Sequence, residues 1–390
     1  FIMAETIDLP YAEIARAAAL PAVLYFAAVF WMVHLEAGRA GLFGLARAEC
    51  PSTLAAIRAH WPLLLPLAAL IYLLMTGYTP LFSGLLGLAL TAVLILGRPI
   101  ASKIGFFGLR SLFWIALGFM AASFFAAGVE VVFALIGLLI AGNFLLTGGR
   151  ETLRIMVNGL AEGALGSISV GIGCVIVGVI VAVLTLTGLA SSLASTIVAL
   201  AGGSLLLGLV LTMFTSLVLG MGVPSIPNYI ITSSVAAPAL LTMGVPLLVS
   251  HMFVFYFGIL SDLTPPVALA AFAAAAIARA SPMRIGLLCL RLAIAGFVIP
   301  YMMVYDPALL LQTDDPFAVL YVAFKALTAI GLWGAAAIGY LRAPLAWWER
   351  LAAALAAGLL VVALPVTDEL GFGLGAAFLL RHWRHTRGRA

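Results

Sequence analysis

Charge is scarce in this chain. Asp, Glu, Lys and Arg make up 9% of its 390 residues and hydrophobic types 65%, where an ordinary soluble domain is about 25% charged. That excludes a water-soluble fold of this size, because there is too little polar surface to cover it. Cysteine is also rare. Cys50, Cys174 and Cys289 are far apart and have neither metal nor disulfide spacing, so they read as small apolar residues. No His/Cys/Glu metal cluster, H-E-x-x-H, G-x-S-x-G or P-loop occurs, which argues against an enzyme and against an ATP-driven pump. Gly171-Ile-Gly173 with Gly178 lies inside an apolar run with no strand before it, so it reads as close helix packing rather than a nucleotide loop. The apolar runs are too long and too weakly alternating for a β-barrel.

What is present is a succession of apolar runs, enough for roughly ten crossings or part-crossings at ~20 residues each. Mean hydropathy is +1.23. The expected class is an all-α polytopic membrane protein. Runs are read at 17–33, 61–76, 80–96, 111–127 and 129–146, then an amphipathic segment at 151–162 and a further run at 164–186. A small-polar stretch, 187–203, precedes runs at 205–219, 225–241, 247–260 and 267–278. Later spans fall at 292–304, 317–340 and 346–365, with a short Gly-rich piece at 370–380. The net charge of +4 follows from basic loops and a basic tail (Arg381, His382, Arg384, His385, Arg387, Arg389). Each basic loop is two crossings from the last, which sets them all on the cytoplasmic side without any nucleic-acid partner. Trp347-Trp348 beside Glu349 and Arg350 reads as an interfacial aromatic belt.

Two helix-breaking clusters stand out: Leu219-Gly-Met-Gly-Val-Pro-Ser225 and Leu260-Ser-Asp-Leu-Thr-Pro-Pro-Val267. Glycine frees the backbone, and proline removes an amide donor. Broken backbone at membrane depth is tolerated only where it is buried in protein or lines a cavity. The flanking runs are each about 12–17 residues, short for a full crossing, which suits half-helices and a re-entrant hairpin. A plain helix kink at the first cluster and an extramembrane turn at the second are the bland alternatives. Gly220, Gly222, Pro224, Ser225 and Asn228 at the first, and Ser261, Asp262, Thr264, Pro265 and Pro266 at the second, are the candidate ion- and substrate-binding residues. Ser261, Thr264 and freed carbonyls are hard oxygen donors of the kind sodium prefers. Asp262 is the only charged residue between Glu162 and Arg279. It is open to three roles: ion ligand, proton carrier or cap of the next helix. His251, in an apolar run, reads as a hydrogen-bonded packing residue or a ligand.

The start, Phe1-Ile-Met-Ala-Glu5, has no initiator Met and no signal peptide and looks like the middle of a helix. A fragment or a truncated gene is expected. Ala270-Ala-Phe272, then Pro282 and an apolar span, match Phe1-Ile-Met-Ala4, then Pro10 and an apolar span, in similar register. This is the pattern of an inverted repeat whose first hairpin is missing.

Several segments together resemble a known family. They are Leu219-Gly-Met-Gly-Val-Pro-Ser-Ile-Pro-Asn-Tyr229, Val235-Ala-Ala-Pro-Ala239, Gly244-Val-Pro246, Ser250-His-Met-Phe-Val-Phe-Tyr-Phe257 and Ser261-Asp-Leu-Thr-Pro-Pro-Val-Ala-Leu-Ala-Ala-Phe272, with Val33-His-Leu-Glu-Ala37 and Tyr305-Asp-Pro-Ala-Leu-Leu310. They look like the C-terminal portion of the fused large permease of tripartite ATP-independent periplasmic (TRAP) transporters, TAXI subtype, over about 1–96 and 150–312. The resemblance implies an elevator-type fold with a hairpin tip at 219–225 facing a broken helix at 261–266. It implies a bacterial inner-membrane, multi-pass permease that takes small organic anions (carboxylates) from a TAXI-type periplasmic solute-binding protein. No cofactor is implied, only sodium as coupling ion, held near Gly220, Gly222, Ser261 and Thr264 with substrate beside it. The expected division is 1–149 (helices after the missing first repeat, with an extra apolar insertion near 98–149), 150–305 (second repeat) and 306–390 (C-terminal helices and tail). The rival expectation is a truncated or degenerate membrane scaffold or channel that does not transport alone.

Overall fold

The computed structural model describes residues 1–42, 44–45, 49–50, 52–122, 128–146, 148–362 and 366–387. Among them there is no strand, only one isolated bridge between Tyr340 and Pro344. The all-α multi-pass class stands: five helices are long and apolar enough to cross a membrane, and six shorter apolar helices accompany them. The residues fall into two units, 45–169 with residues 1 and 10–12, and 2–9 with 13–44 and 170–390.

The first unit is built on α4 (Leu65–Met75), α5 (Pro80–Ser102), α6 (Phe107–Ala122) and α7 (Val129–Leu145), after the short α3 (Thr53–His60). Val93, Leu96, Trp114, Leu117, Leu135 and Leu139 form its core. Gly97 lets Trp114 approach: a Cβ there would lie 3.0 Å from the indole. The buried Asn143 Nδ2 donates to Leu96 O (2.8 Å) and Leu139 O (2.7 Å), which ties α7 to α5. Most of the apolar insertion expected near 98–149 is therefore packed helix, though 123–127 lies outside the described residues.

A helix α8 (Gly149–Leu186) has its first part in the first unit and its last part in the second. The sequence pattern divides this stretch near residue 163; the structure makes one helix of 38 residues. No proline interrupts it. The small-polar stretch is also helical, as α9 (Leu189–Ala201). Its hydroxyls bond back along the helix, Ser191 to Gly188 O, Ser195 and Thr196 to Ser192 O, so they need no water.

The second unit also holds α1 (Ile2–Ile7) and all but the first residues of α2 (Tyr11–Ala40). Then come α10 (Leu205–Gly220), α11 (Ser225–Val235), α12 (Ala237–Thr242) and α13 (Leu247–Leu260). Helix α13 is the axis of this unit, with Val249, Phe253, Val254 and Phe257 fully buried. Phe253 and Phe257 stack edge-on against each other and against Tyr301. At 16 residues, α10 is roughly 24 Å long, short of the ~30 Å hydrocarbon layer. Beyond the second break run α14 (Leu269–Ala278), α15 (Pro282–Ala293) and α16 (Val298–Tyr305). Pro282–Tyr305 acts as one long apolar span, beginning ten residues earlier than the hydropathy run at 292. Three final helices, α17 (Pro316–Ile338), α18 (Trp347–Val361) and α19 (Thr367–Arg387), pack on fully buried alanines (Ala326, Ala329, Ala353, Ala356, Ala357). Such small residues let helix backbones come close. The basic tail continues α19 as helix through Arg387.

Candidate functional site

Both helix-breaking clusters are real breaks. Helix α10 stops at Gly220 and α11 starts at Ser225, with Pro224 at its N-cap. Gly222 has φ +75°, a left-handed conformation that glycine adopts without strain. A Cβ on it would meet Val267 Cγ1 at 3.3 Å, so the tip touches the segment just past the second break. Pro224 and Pro227 lie on the other side against Gly173 of α8, within 3.2–3.8 Å of where a Cβ would be.

The second break begins where α13 ends at Leu260. A 3-10 turn, Ser261–Leu263, follows, then extended Thr264, then a cis Pro265–Pro266 bond. Asp262 O has no helical donor available, because residues three and four positions on are both proline. Helix α14 is capped by Ala268, with no side-chain cap, so Asp262 does not cap it. The cap role open at the sequence level falls away. Asp262 Oδ1 is instead buried without a hydrogen-bond partner.

One side chain joins the two breaks. Asn228, in the first turn of α11 and 1% exposed, donates through Nδ2 to Gly220 O (3.2 Å), Gly258 O (2.7 Å) and Ser261 Oγ (3.3 Å). Ser261 Oγ in turn donates to Gly258 O at 2.5 Å. Three acceptors around Nδ2 fix the orientation of the amide. Asn228 Oδ1 is left buried and unpartnered. Two glycines make this approach feasible. A Cβ on Gly220 would lie 2.6 Å from both Asn228 Nδ2 and Ser261 Oγ and 2.8 Å from Gly258 O. A Cβ on Gly258 would collide with Asn228 Oδ1. Thr212 and Ser216 lie eight and four residues before Gly220, on the same face of α10, and their buried hydroxyls also lack partners.

Of the ten candidate residues, Gly220, Asn228 and Ser261 come together directly. Gly222 and Pro224 shape the tip. Ser225 is exposed at the start of α11 and makes none of these cross-links. Thr264 Oγ1 donates back to Leu260 O at 2.9 Å and makes no bond to the Asn228 cluster. Asp262, Pro265 and Pro266 form the bend itself. Gly258 was not among the candidates. Its only sequence signal is a small residue three positions before Ser261 in an otherwise bulky helix. His251 is a packing residue: its Nδ1 lies 2.8 Å from Tyr229 Oη between α13 and α11.

The arrangement offers a water-poor cluster of oxygens, namely the carbonyls of Gly220 and Gly258, Ser261 Oγ and the free Asn228 Oδ1. Such hard, neutral donors suit an alkali cation better than a soft transition metal. No curated protein and no solved structure matches the chain significantly. The family model described as "Tripartite ATP-independent periplasmic transporter, DctM component" matches residues 1–108 and 100–316. With most of its length matched and its two broken helices joined in one polar cluster, the chain belongs to the DctM component family of tripartite ATP-independent periplasmic transporters, the membrane permeases of these secondary transporters.

Proposed function

We propose that this chain is part of a sodium-coupled importer of small organic anions, of the TAXI subtype, working in the bacterial inner membrane with a periplasmic solute-binding protein. The observation that carries this reading is the Asn228 clamp between the two breaks. Sodium, as co-substrate, would be held by the carbonyl oxygens of Gly220 and Gly258 with Ser261 Oγ and Asn228 Oδ1. Asn228 Oδ1 has no other partner to give up. A cation here would hold the hairpin tip in place against the broken helix. The amide-rich N-terminus of α11, where Ser225 leads the helix, would then face a substrate carboxylate.

In this proposal the second repeat occupies 150–305 and moves as an elevator against the rest. The stretches 1–149 and 306–390 supply surrounding helices. Asp262 supports a second reading, proton coupling, because its buried Oδ1 is unpaired. The proposal is tested with the full-length permease in proteoliposomes, with its binding protein outside. Uptake driven by an inward sodium gradient is expected. Uptake driven only by a proton gradient would shift the coupling to Asp262. No gradient-driven uptake of any carboxylate delivered by that binding protein would favour the scaffold alternative.

A further inference from the structure

At one end of the second unit, the last part of α2, the turn after α17, the start of α18 and the C-terminal half of α19 meet: Gly38 lies against Tyr340, and Arg381 over the Trp348 ring. Most of the cations there are already engaged. Arg39 pairs with Glu36. Arg291 donates to Ile338 O, and Arg350 donates to Ala336 O. Arg381 lies over the Trp348 ring. Arg342, in the turn between α17 and α18, is exposed and makes no hydrogen bond or ion pair among the described residues.

Arg342 borders a cavity of about 500 Å³ whose walls include Trp31 and His34 of α2 and Leu379, His382 and Trp383 of α19. His382 is 2% exposed, yet neither ring nitrogen has a hydrogen-bond partner. Glu349 Oε1 stands 3.7 Å from its Nδ1, while Glu349 Oε2 accepts from Ala346 N. His382 therefore belongs to the back wall, its ring stacked on Phe378. His34 is exposed and stacks on Trp31. The cavity therefore combines an idle guanidinium, one exposed imidazole and two indoles with aliphatic wall. Tryptophans and arginines gather where a bilayer's hydrocarbon meets its headgroups, and the arginines mark the cytoplasmic side. Arg342, Leu379, His382 and Trp383 lie after residue 316, where the family match ends.

We propose that this cavity binds the phosphodiester of an anionic phospholipid from the leaflet on the basic side. Arg342 and His34, both exposed, flank the phosphate. Trp31, Leu379 and Trp383 cover the glycerol and the first acyl carbons. The inference is independent of the coupling ion and of the transported substrate. A soluble phosphate would use the cations but not the apolar wall.

The test uses full-length permease purified in detergent and titrated separately with phosphatidylglycerol, phosphatidylcholine and soluble glycerol phosphate, with bound adducts counted by native mass spectrometry. Both lipids carry the phosphodiester, but phosphatidylcholine also brings a quaternary ammonium against the Arg342 guanidinium, so phosphatidylglycerol is expected to be retained about tenfold more tightly. Arg342→Gln should weaken it by about the same factor. That variant removes an exposed side chain without protein partners, so the fold is kept. Arg384→Gln, on the same tail but outside the cavity, should leave retention unchanged. Equal retention of the two lipids, or no effect of Arg342→Gln, overturns the proposal. Glycerol phosphate binding as tightly as phosphatidylglycerol overturns the lipid as the source.

Discussion

Gly220→Ala is the sharpest perturbation of the two-break clamp. The new Cβ would stand 2.6 Å from Asn228 Nδ2 and Ser261 Oγ, where ordinary contact begins at 3.4 Å. It would also stand 2.8 Å from Gly258 O, a backbone atom that has no rotamer to escape into. Relieving the contact takes a displacement of about 0.8 Å, from 2.6 to 3.4 Å. Applied to the 2.7 Å bond from Asn228 to Gly258 O, that stretches it to about 3.5 Å, outside the hydrogen-bond range. The buried amide then loses its best acceptor, at about 1–3 kcal/mol, with overpacking strain of similar size. A combined cost of about 2–6 kcal/mol corresponds to roughly 30- to 20,000-fold at 1.4 kcal/mol per decade. The assay is the sodium concentration for half-maximal uptake in proteoliposomes, with thermal unfolding in parallel. Gly331→Ala is the control, since a Cβ there meets nothing within 4 Å. Wild-type sodium dependence and wild-type melting in Gly220→Ala would refute the clamp.

Three further outcomes follow from the same geometry. Ser261→Ala should weaken sodium dependence more than Thr264→Ala, because Ser261 Oγ is bonded to Asn228 inside the cluster and Thr264 Oγ1 is not; equal effects in the uptake assay would contradict this. Asp262→Asn should keep sodium-driven uptake with an unchanged pH profile, whereas a flattened profile would make Asp262 the proton carrier. Lys325, 2% exposed on α17, pairs with Asp368 of α19 at 3.2 Å, and Asp368 also accepts from Tyr321 Oη at 2.7 Å. Lys325→Met should cost about 3 kcal/mol, and adding Asp368→Leu should recover much of it, read as melting temperatures in detergent. A double variant no more stable than the single one would show that the pair holds the helices by more than charge.

The long apolar helices were legible because hydropathy and length answer to one local constraint, the thickness of the hydrocarbon layer. Boundaries were less so. The stretch at 187–203 read only as small and polar, yet its Ser and Thr hydroxyls bond to carbonyls of their own helix, which hydropathy does not register. The end of the amphipathic segment near residue 163 was equally invisible as a helix interior, since glycines weaken a helix without ending it. The single span drawn at 292–304 begins at Pro282 because the arginines flanking it belong to the helix's polar face.

The candidate site divides along the same line. The sequence by itself determined where the helices break. Pro224, Pro265 and Pro266 remove donors and Gly222 permits φ +75°, effects that act within a few residues of each. It also determined that Asp262 would be the one carboxylate among those breaks. Only the tertiary structure decided that Asn228 spans to Gly258, thirty residues on, and that Thr264 turns back to its own helix. The physical reason is distance. A break follows from local backbone chemistry, but a 2.7 Å bond across two helices depends on how closely they pack. Here that closeness comes from two missing side chains, at Gly220 and Gly258.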